Sequence, residues 1–306
     1  ILLCRTDRVL PLEIRRKIAL FCDVEEEAVI TAKDVSSIYE VPLVLSAEGL
    51  DRQVLRRLEM ADSPRTMTKW EQLVDGIRHP TDRLQIHIVG KYVGYEDSYK
   101  SLNEALYHGG IGNRCSVKID YLDSEKLTDT AVLSRAHGIL VPHGFGSRGT
   151  TGKIEAVRYA REQKIPFFGI CFGMQMAVIE VARNLLKITN ASSSEFGNSC
   201  TPVIGLLNEW QKGKKIVKGN EKDLGGTMRL GLYEAIISKG TNISKIYKTG
   251  KIKERHRHRY EVNIDYKKAF EKKGLIFSAL SPDGLLTEII ELKNHPWFVG
   301  VQFHPE

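Results

Sequence analysis

The sequence predicts an α/β protein. Residues 84–306 form a mainly parallel to mixed central sheet with helices on both faces, preceded by the end of another α/β domain in residues 1–58, with 59–83 as linker. Three observations carry this reading. From Leu84 onward, short apolar runs alternate with segments of helical periodicity, the pattern of strands covered on both faces by helices. One run, Ile165 to Ile170, passes through Gly169-Ile170-Cys171-Phe172-Gly173 directly into Met174, Ala177, Val178, Val181 and Leu185, which recur on one helical face. The first 58 residues hold too little apolar sequence for a comfortable core of their own.

Composition narrows the class. At 306 residues there is room for about two domains. With 42% hydrophobic and 27% charged residues the chain is of ordinary globular type. Its apolar runs fall short of the roughly 20 residues a membrane span needs, and Ile1 to Arg5 lacks a charged signal-peptide start. The five cysteines are irregularly spaced, which predicts no disulfide framework, no metal site and a cytoplasmic location. A net charge of +7 allows an anionic partner such as a nucleotide, or weakly a nucleic acid, and identifies none; taken with the rest of the sequence, neither a nucleic-acid nor a membrane partner is expected. The missing initiator methionine and the stop at His304-Pro305-Glu306 read as a piece of a longer chain.

The elements follow in order. Lys17 to Phe21 and Ala28 to Ile30 read as strands, and a helix ends in Leu55, Leu58 and Met60. The polar stretch 59–83 carries Pro64, Pro80 and a charged helix around Trp70. Strands follow at Leu84 to Val89, Ser116 to Asp120 and Gly138 to Val141, with helices at Tyr99 to Tyr107 and Gly152 to Glu162. Residues 205–228, rich in Lys, Gly and Asn, read as a mobile surface loop. Leu286 to Ile290 and Phe298 to Phe303 are the last strands.

Cys171 falls where a strand turns sharply into a helix, a cysteine counterpart of the nucleophile elbow. The flanking glycines suit the tight turn, and a helix N-terminus favours thiolate over thiol. A plain buried cysteine is the other reading. Phe303-His304-Pro305-Glu306 follows the last strand. Proline keeps His304 extended, so His304 and Glu306 lie on one side and can act as base and orienter. A strand end with two solvated polar residues is the alternative.

Gly144-Phe145-Gly146-Ser147-Arg148-Gly149 fits the dinucleotide fingerprint, but no acid stands about 20 residues on, at Gly169 to Cys171. A phosphate-loop match also fails, because Ile154 follows Lys153. A better reading sets the N–H groups of Gly144 and Phe172 against a developing oxyanion, with a plain glycine turn as the alternative. The run Glu254 to Tyr260 is open to three readings: a solvated loop, a nucleic-acid patch, or one Arg reaching a substrate carboxylate. Glu195, after the elbow helix, could hold an ammonium group.

Together these stretches resemble the class I (Cys-His-Glu) glutamine amidotransferases. The matching residues are Val89 to Tyr92, Pro142 to Gly146, Gly169 to Gln175, Gly225 to Gly231, Arg255 to Asn263 and Asn294 to Glu306. Lys17 to Cys22 and Lys33 to Tyr39 resemble the end of the synthase domain in the branch of that family that makes CTP from UTP, ATP and glutamine.

The resemblance implies a flavodoxin-like glutaminase fold and a ligase of pyrimidine biosynthesis, homotetrameric when complete. Cys171 would attack the glutamine amide. His304 would protonate the departing ammonia and then activate water, and Glu306 would hold His304. Gly144 and the segment Phe172, Gly173, Met174 and Gln175 would bind glutamine and its oxyanion, with Glu195 and Arg259 on the ammonium and carboxylate. Lys17 would contact the pyrimidine nucleotide, and Lys33, Asp34 and Val35 the adenine of ATP. Arg229 would serve activation by GTP, and CTP would be the product. No covalently bound cofactor is implied. ATP and Mg2+ would serve the synthase reaction, through a phosphate-binding loop and Mg2+ carboxylates that precede this chain, so these residues alone should not make CTP.

One departure stands out: the family usually has two glycines where this sequence has His143-Gly144. Two rival classes stay open, a cysteine hydrolase acting on another γ-glutamyl substrate and a non-catalytic nucleotide-binding or assembly module.

Overall fold

The structure, a computed structural model, describes residues 1–63, 65–91, 96–197 (96 and 97 by backbone only), 199–206 and 228–305. The chain divides into two units, Ile1–Arg83 with Ala105–Ser116, and Leu84–Glu104 with Val117–Glu306.

In the first unit β1 (Leu2–Thr6) is followed by α1 (Leu12–Cys22), β2 (Val29–Lys33), α2 (Val41–Ala47), α3 (Leu50–Arg57) and α4 (Thr68–Arg78). β1 and β2 pair in parallel, with Leu2 opposite Val29. The strand expected at Lys17 to Phe21 is instead the second half of α1. Pro11 precedes its first turn with the φ a helix start needs, −59°. Arg15 then ties the helix down by donating to Thr31 Oγ1 at 2.8 Å and to Glu48 Oε2 at 2.5 Å. In a helix, consecutive apolar residues point in different directions. Only Ala19 is buried, while Leu20 and Phe21 are 80% and 86% exposed. The helix expected around Trp70 is α4, whose Arg78 pairs with the buried carboxylate of Glu40.

After α4 the chain runs through β3 (Asp82–Gly90), α5 (Lys100–Gly112), most of which belongs to the first unit, β4 (Cys115–Asp123), and then, in the second unit, β5 (Gly138–Val141), α6 (Thr150–Gln163), β6 (Phe167–Ile170), α7 (Phe172–Asn184), β7 (Ala191–Ser193) and β8 (Thr201–Leu206). After the segment 207–227, on which most of the predicted mobile loop falls and which lies outside the described residues, come β9 (Arg229–Ile237), α8 (Asn242–Tyr247), β10 (Lys251–His258), β11 (Tyr260–Val262), α9 (Lys267–Lys272), β12 (Leu275–Leu280), β13 (Thr287–Leu292) and β14 (Phe298–Val301).

Nine strands form one mixed sheet in the order β10-β9-β12-β13-β14-β6-β5-β3-β4. The pairs β14–β6, β6–β5 and β5–β3 are parallel; from β14 outward to β10 every pair is antiparallel. Of the parallel strands, β5 and β14 are apolar without a break and buried on both faces. β10 differs: Ile252, His256 and His258 are buried while Lys251, Lys253, Arg255 and Arg257 face outward. The basic run is thus a half-buried strand and its continuation, not a solvated loop. α7 is buried throughout from Phe172 to Ala182, and packs on β5, β6 and β14, on α6, and on the small sheet β11-β8-β7.

Candidate active site

Cys171 joins β6 to α7 with φ 53° and ψ −102°, a conformation that strains any residue with a side chain. Two ladder contacts impose it: the Cys171 N–H donates to Val301 O at 2.7 Å, and Cys171 O accepts from the Gln175 N–H at 3.2 Å. The flanking glycines permit it. A Cβ on Gly173 would stand 1.9 Å from Val141 O, and one on Gly169 would stand 2.7 Å from the Gly173 carbonyl carbon. The elbow therefore exists because α7 sits hard against the ends of β5 and β6.

Above the elbow is a cavity of about 590 Å³. Its wall brings together seven residues the sequence reading placed in the site, Cys171, His304, Gly144, Phe172, Gln175, Glu195 and Arg259, and also His143, where the family usually has glycine. Gly173 and Met174 do not line it. Gly173 serves the close approach to β5, and the Met174 side chain is buried in the core. Glu306 lies outside the described residues.

His304 follows β14 and is steered by a bridge to β10, its N–H donating to Arg255 O at 2.8 Å. Its Nε2 is buried and has no hydrogen-bond partner among the described residues. Burial, then the neighbouring His143, Arg257 and Arg255, pulls the imidazole down to about 4. Burial likewise pushes the Cys171 thiol up to about 12; the Phe172 N–H and Gln302 act against this, and Glu261 and Glu195 reinforce it. The helix N-terminus does favour thiolate, as expected, but desolvation outweighs it. At neutral pH the pair rests as thiol and neutral imidazole, a nucleophile and a base ready to accept its proton.

The loop after β5 is held from both sides. The Gly146 N–H donates to Glu195 Oε1 at 2.6 Å, and Lys91 Nζ donates to Phe145 O at 2.5 Å. Burial raises the Glu195 carboxyl, with the Gly146 N–H and Lys91 opposing. Lys153, in α6 and 1% exposed, sets its ammonium 4.8 Å over the Phe172 ring, and burial lowers it to about 7. Its sequence signal was weak: one charge on an otherwise apolar helix face.

Sequence reasoning also missed Gln302, which is fully buried and donates to Cys171 Sγ at 3.7 Å. Its signal was a polar residue two before His304 in a buried strand end. Arg229 is a correction. It lies in β9, not in a mobile loop, and it is buried, pairing with Glu288 at 2.8 Å and Glu261 at 3.4 Å. His256 and His258 complete this cluster, 2.9 Å from each other, with His256 3.3 Å from Glu288. An arginine committed to two buried carboxylates is not open to a nucleotide.

Lys17, Lys33, Asp34 and Val35 all belong to the first unit. Lys17 and Lys33 are exposed, and Asp34 accepts from Arg5 Nε at 2.9 Å.

Residues 95–306 match the family described as glutamine amidotransferase class-I, and residues 1–60 match the CTP synthase N-terminus. Curated CTP synthases of Pelagibacter ubique and Rhizobium etli are each 56% identical to this chain across its whole length. The match covers 58% and 57% of those relatives, so the chain spans little more than half their length. Among solved structures, the glutaminase domain of Trypanosoma brucei CTPS, with bound acivicin, is 36% identical with a TM-score of 0.64, over 72% of this chain and 86% of that one.

Proposed function

This chain belongs to the class-I glutamine amidotransferase family, and on that premise we propose that it hydrolyses glutamine to glutamate and ammonia, as the ammonia-producing part of a CTP synthase. The observation that carries the reading is the strained elbow cysteine sharing one cavity wall with a histidine whose Nε2 is buried and without a partner among the described residues.

As Cys171 Sγ attacks the side-chain amide carbon, its proton passes to His304 Nε2. The amide oxygen becomes an oxyanion facing the N–H groups at Gly144 and Phe172, with the Lys153 ammonium close behind. The C–N bond then breaks, the nitrogen takes the proton from His304, and ammonia leaves a thioester on Cys171. His304 next takes a proton from water, the hydroxide adds to the thioester carbon, and the thiol returns as glutamate departs. Arg259 and Glu195 are the charged groups that suit the amino acid's carboxylate and ammonium. Glu306 takes the role of orienter.

The amination of UTP with ATP is proposed for the whole protein, with Lys17 and Lys33 to Val35 as nucleotide contacts, GTP as activator, a homotetrameric assembly and a cytoplasmic location. Among the described residues no group of three His, Cys, Asp or Glu side chains is placed to hold a metal ion.

The test is glutamine hydrolysis by this chain beside Cys171→Ala, together with labelling by a glutamine-like diazo-ketone. The expected result is turnover and labelling that both vanish in the variant. Activity that survives in Cys171→Ala sinks the reading, and turnover of another γ-glutamyl amide but not glutamine moves it to the rival hydrolase.

A further inference from the structure

His143 lies in the loop after β5, immediately before Gly144, and its ring stands 5.1 Å from the His304 ring with the planes inclined at 54°. Its other neighbour is Tyr99, at 6.0 Å. The ring lines the same cavity as Cys171, with its outer edge open to solvent. Two glycines, the family's usual pair at this point, would leave that face of His304 bare.

The geometry points to His143 as a positioning residue for the base: packed ring against ring, it holds the His304 imidazole in one orientation and keeps water off it. This rests on the reading that Cys171 and His304 hydrolyse glutamine. An imidazole turns about a broad, roughly two-fold torsion. His304 is fixed by its backbone through Arg255 O, while its Nε2 has no partner among the described residues. A second ring in contact therefore limits the turn from the side of β5, in addition to the orienting role proposed for Glu306.

The groups around the pair suit two neutral rings. Arg255 and Arg257 of β10 act on His304, His256 and His258 interact with it from the same strand, and Cys171 shares its cavity from the start of α7. Desolvation, Lys153 of α6 and Arg257 disfavour a proton on His143. Neither ring then repels the other, and the one proton in motion is that of Cys171.

The test compares the chain with His143→Gly and His143→Phe, following glutamine turnover and the His304 titration by NMR of labelled histidine. We expect His143→Gly to lower kcat about three- to tenfold, the scale of one lost aromatic contact, with KM nearly unchanged. The His304 midpoint should rise toward the ordinary value, and added imidazole should restore part of the rate. His143→Phe, which keeps a ring, should recover most of the loss. An unchanged kcat and an unchanged midpoint in His143→Gly overturn the proposal. If the wild-type chain hydrolyses no glutamine, the proposed function fails by itself, and the midpoint alone then decides whether His143 governs His304.

Discussion

The side-chain amide of Gln302 donates to the sulfur of Cys171 at 3.7 Å, and its Oε1 accepts from Gln175 Nε2 at 3.2 Å. Gln175 also donates to Tyr260 O at 2.9 Å. One buried amide pair thus links the nucleophile, the first turn of α7 and the start of β11.

Gln302→Leu keeps the volume and removes the donor. One such hydrogen bond is worth about 1 kcal/mol, so kcat should fall about fivefold while KM for glutamine moves little. Gln302 lowers the thiol's pKa. Alkylation of Cys171 by iodoacetamide should therefore be slower at every pH in the variant; equal rates would refute this role.

Gly173→Ala places a methyl 1.9 Å from Val141 O. Overpacking in a tight core costs about 1–3 kcal/mol, and backbone on both sides leaves little room to relax. Urea unfolding should show a loss of unfolding free energy of that order, read as a lower midpoint at unchanged slope, with glutaminase activity largely lost. Wild-type stability would mean that α7 does not sit where described.

The base form of His304 is the active one, and it persists down to about pH 4. The pH profile of kcat/KM should therefore show no fall centred on a histidine between pH 7 and 5.5, where an unperturbed histidine, at about 6.5, is already mostly protonated. A fall centred near 6.5 would contradict the burial of Nε2.

Arg229→Met leaves Glu261 and Glu288 buried without their cation, a change that costs about 3–5 kcal/mol. Burial raises the folded Glu261 carboxyl to about 8. Between the unfolded value near 4.5 and that folded value the unfolded chain binds fewer protons, so stability falls as pH rises. Removing Arg229 widens the window, and the deficit in denaturation should be larger at pH 8 than at pH 5. His256 and His258 work in the other direction. Held neutral down to about 2 and 3, they lose stability as pH drops below 6.5, because the unfolded chain then binds more protons.

The parts of the fold legible in sequence were those in which one residue reports its own environment. Gly138 to Val141 is apolar without a break because both faces of β5 are covered. The glycines around Cys171 were readable because only a residue without Cβ fits against Val141 and against α7. β9 and β10 were not legible. Each shows water one face, and in β10 the inward residues at the site end are His256 and His258, whose burial is made tolerable by Glu288 and Arg229 from other strands. α1 was misread because a five-residue apolar run fits either period, and its anchor, Arg15, finds partners in β2 and beyond α2.

The sequence by itself determined the strand–cysteine–helix turn, the histidine that follows the last strand and the family to which the chain belongs, because spacing and side-chain size are written locally. Tertiary structure alone decided that Cys171 rests as a thiol and His304 as a neutral ring, that Arg229 is spent on two carboxylates, and that His143 lies against the base. Those outcomes depend on how much water and how many charges surround each group, and its neighbours there come from distant parts of the chain.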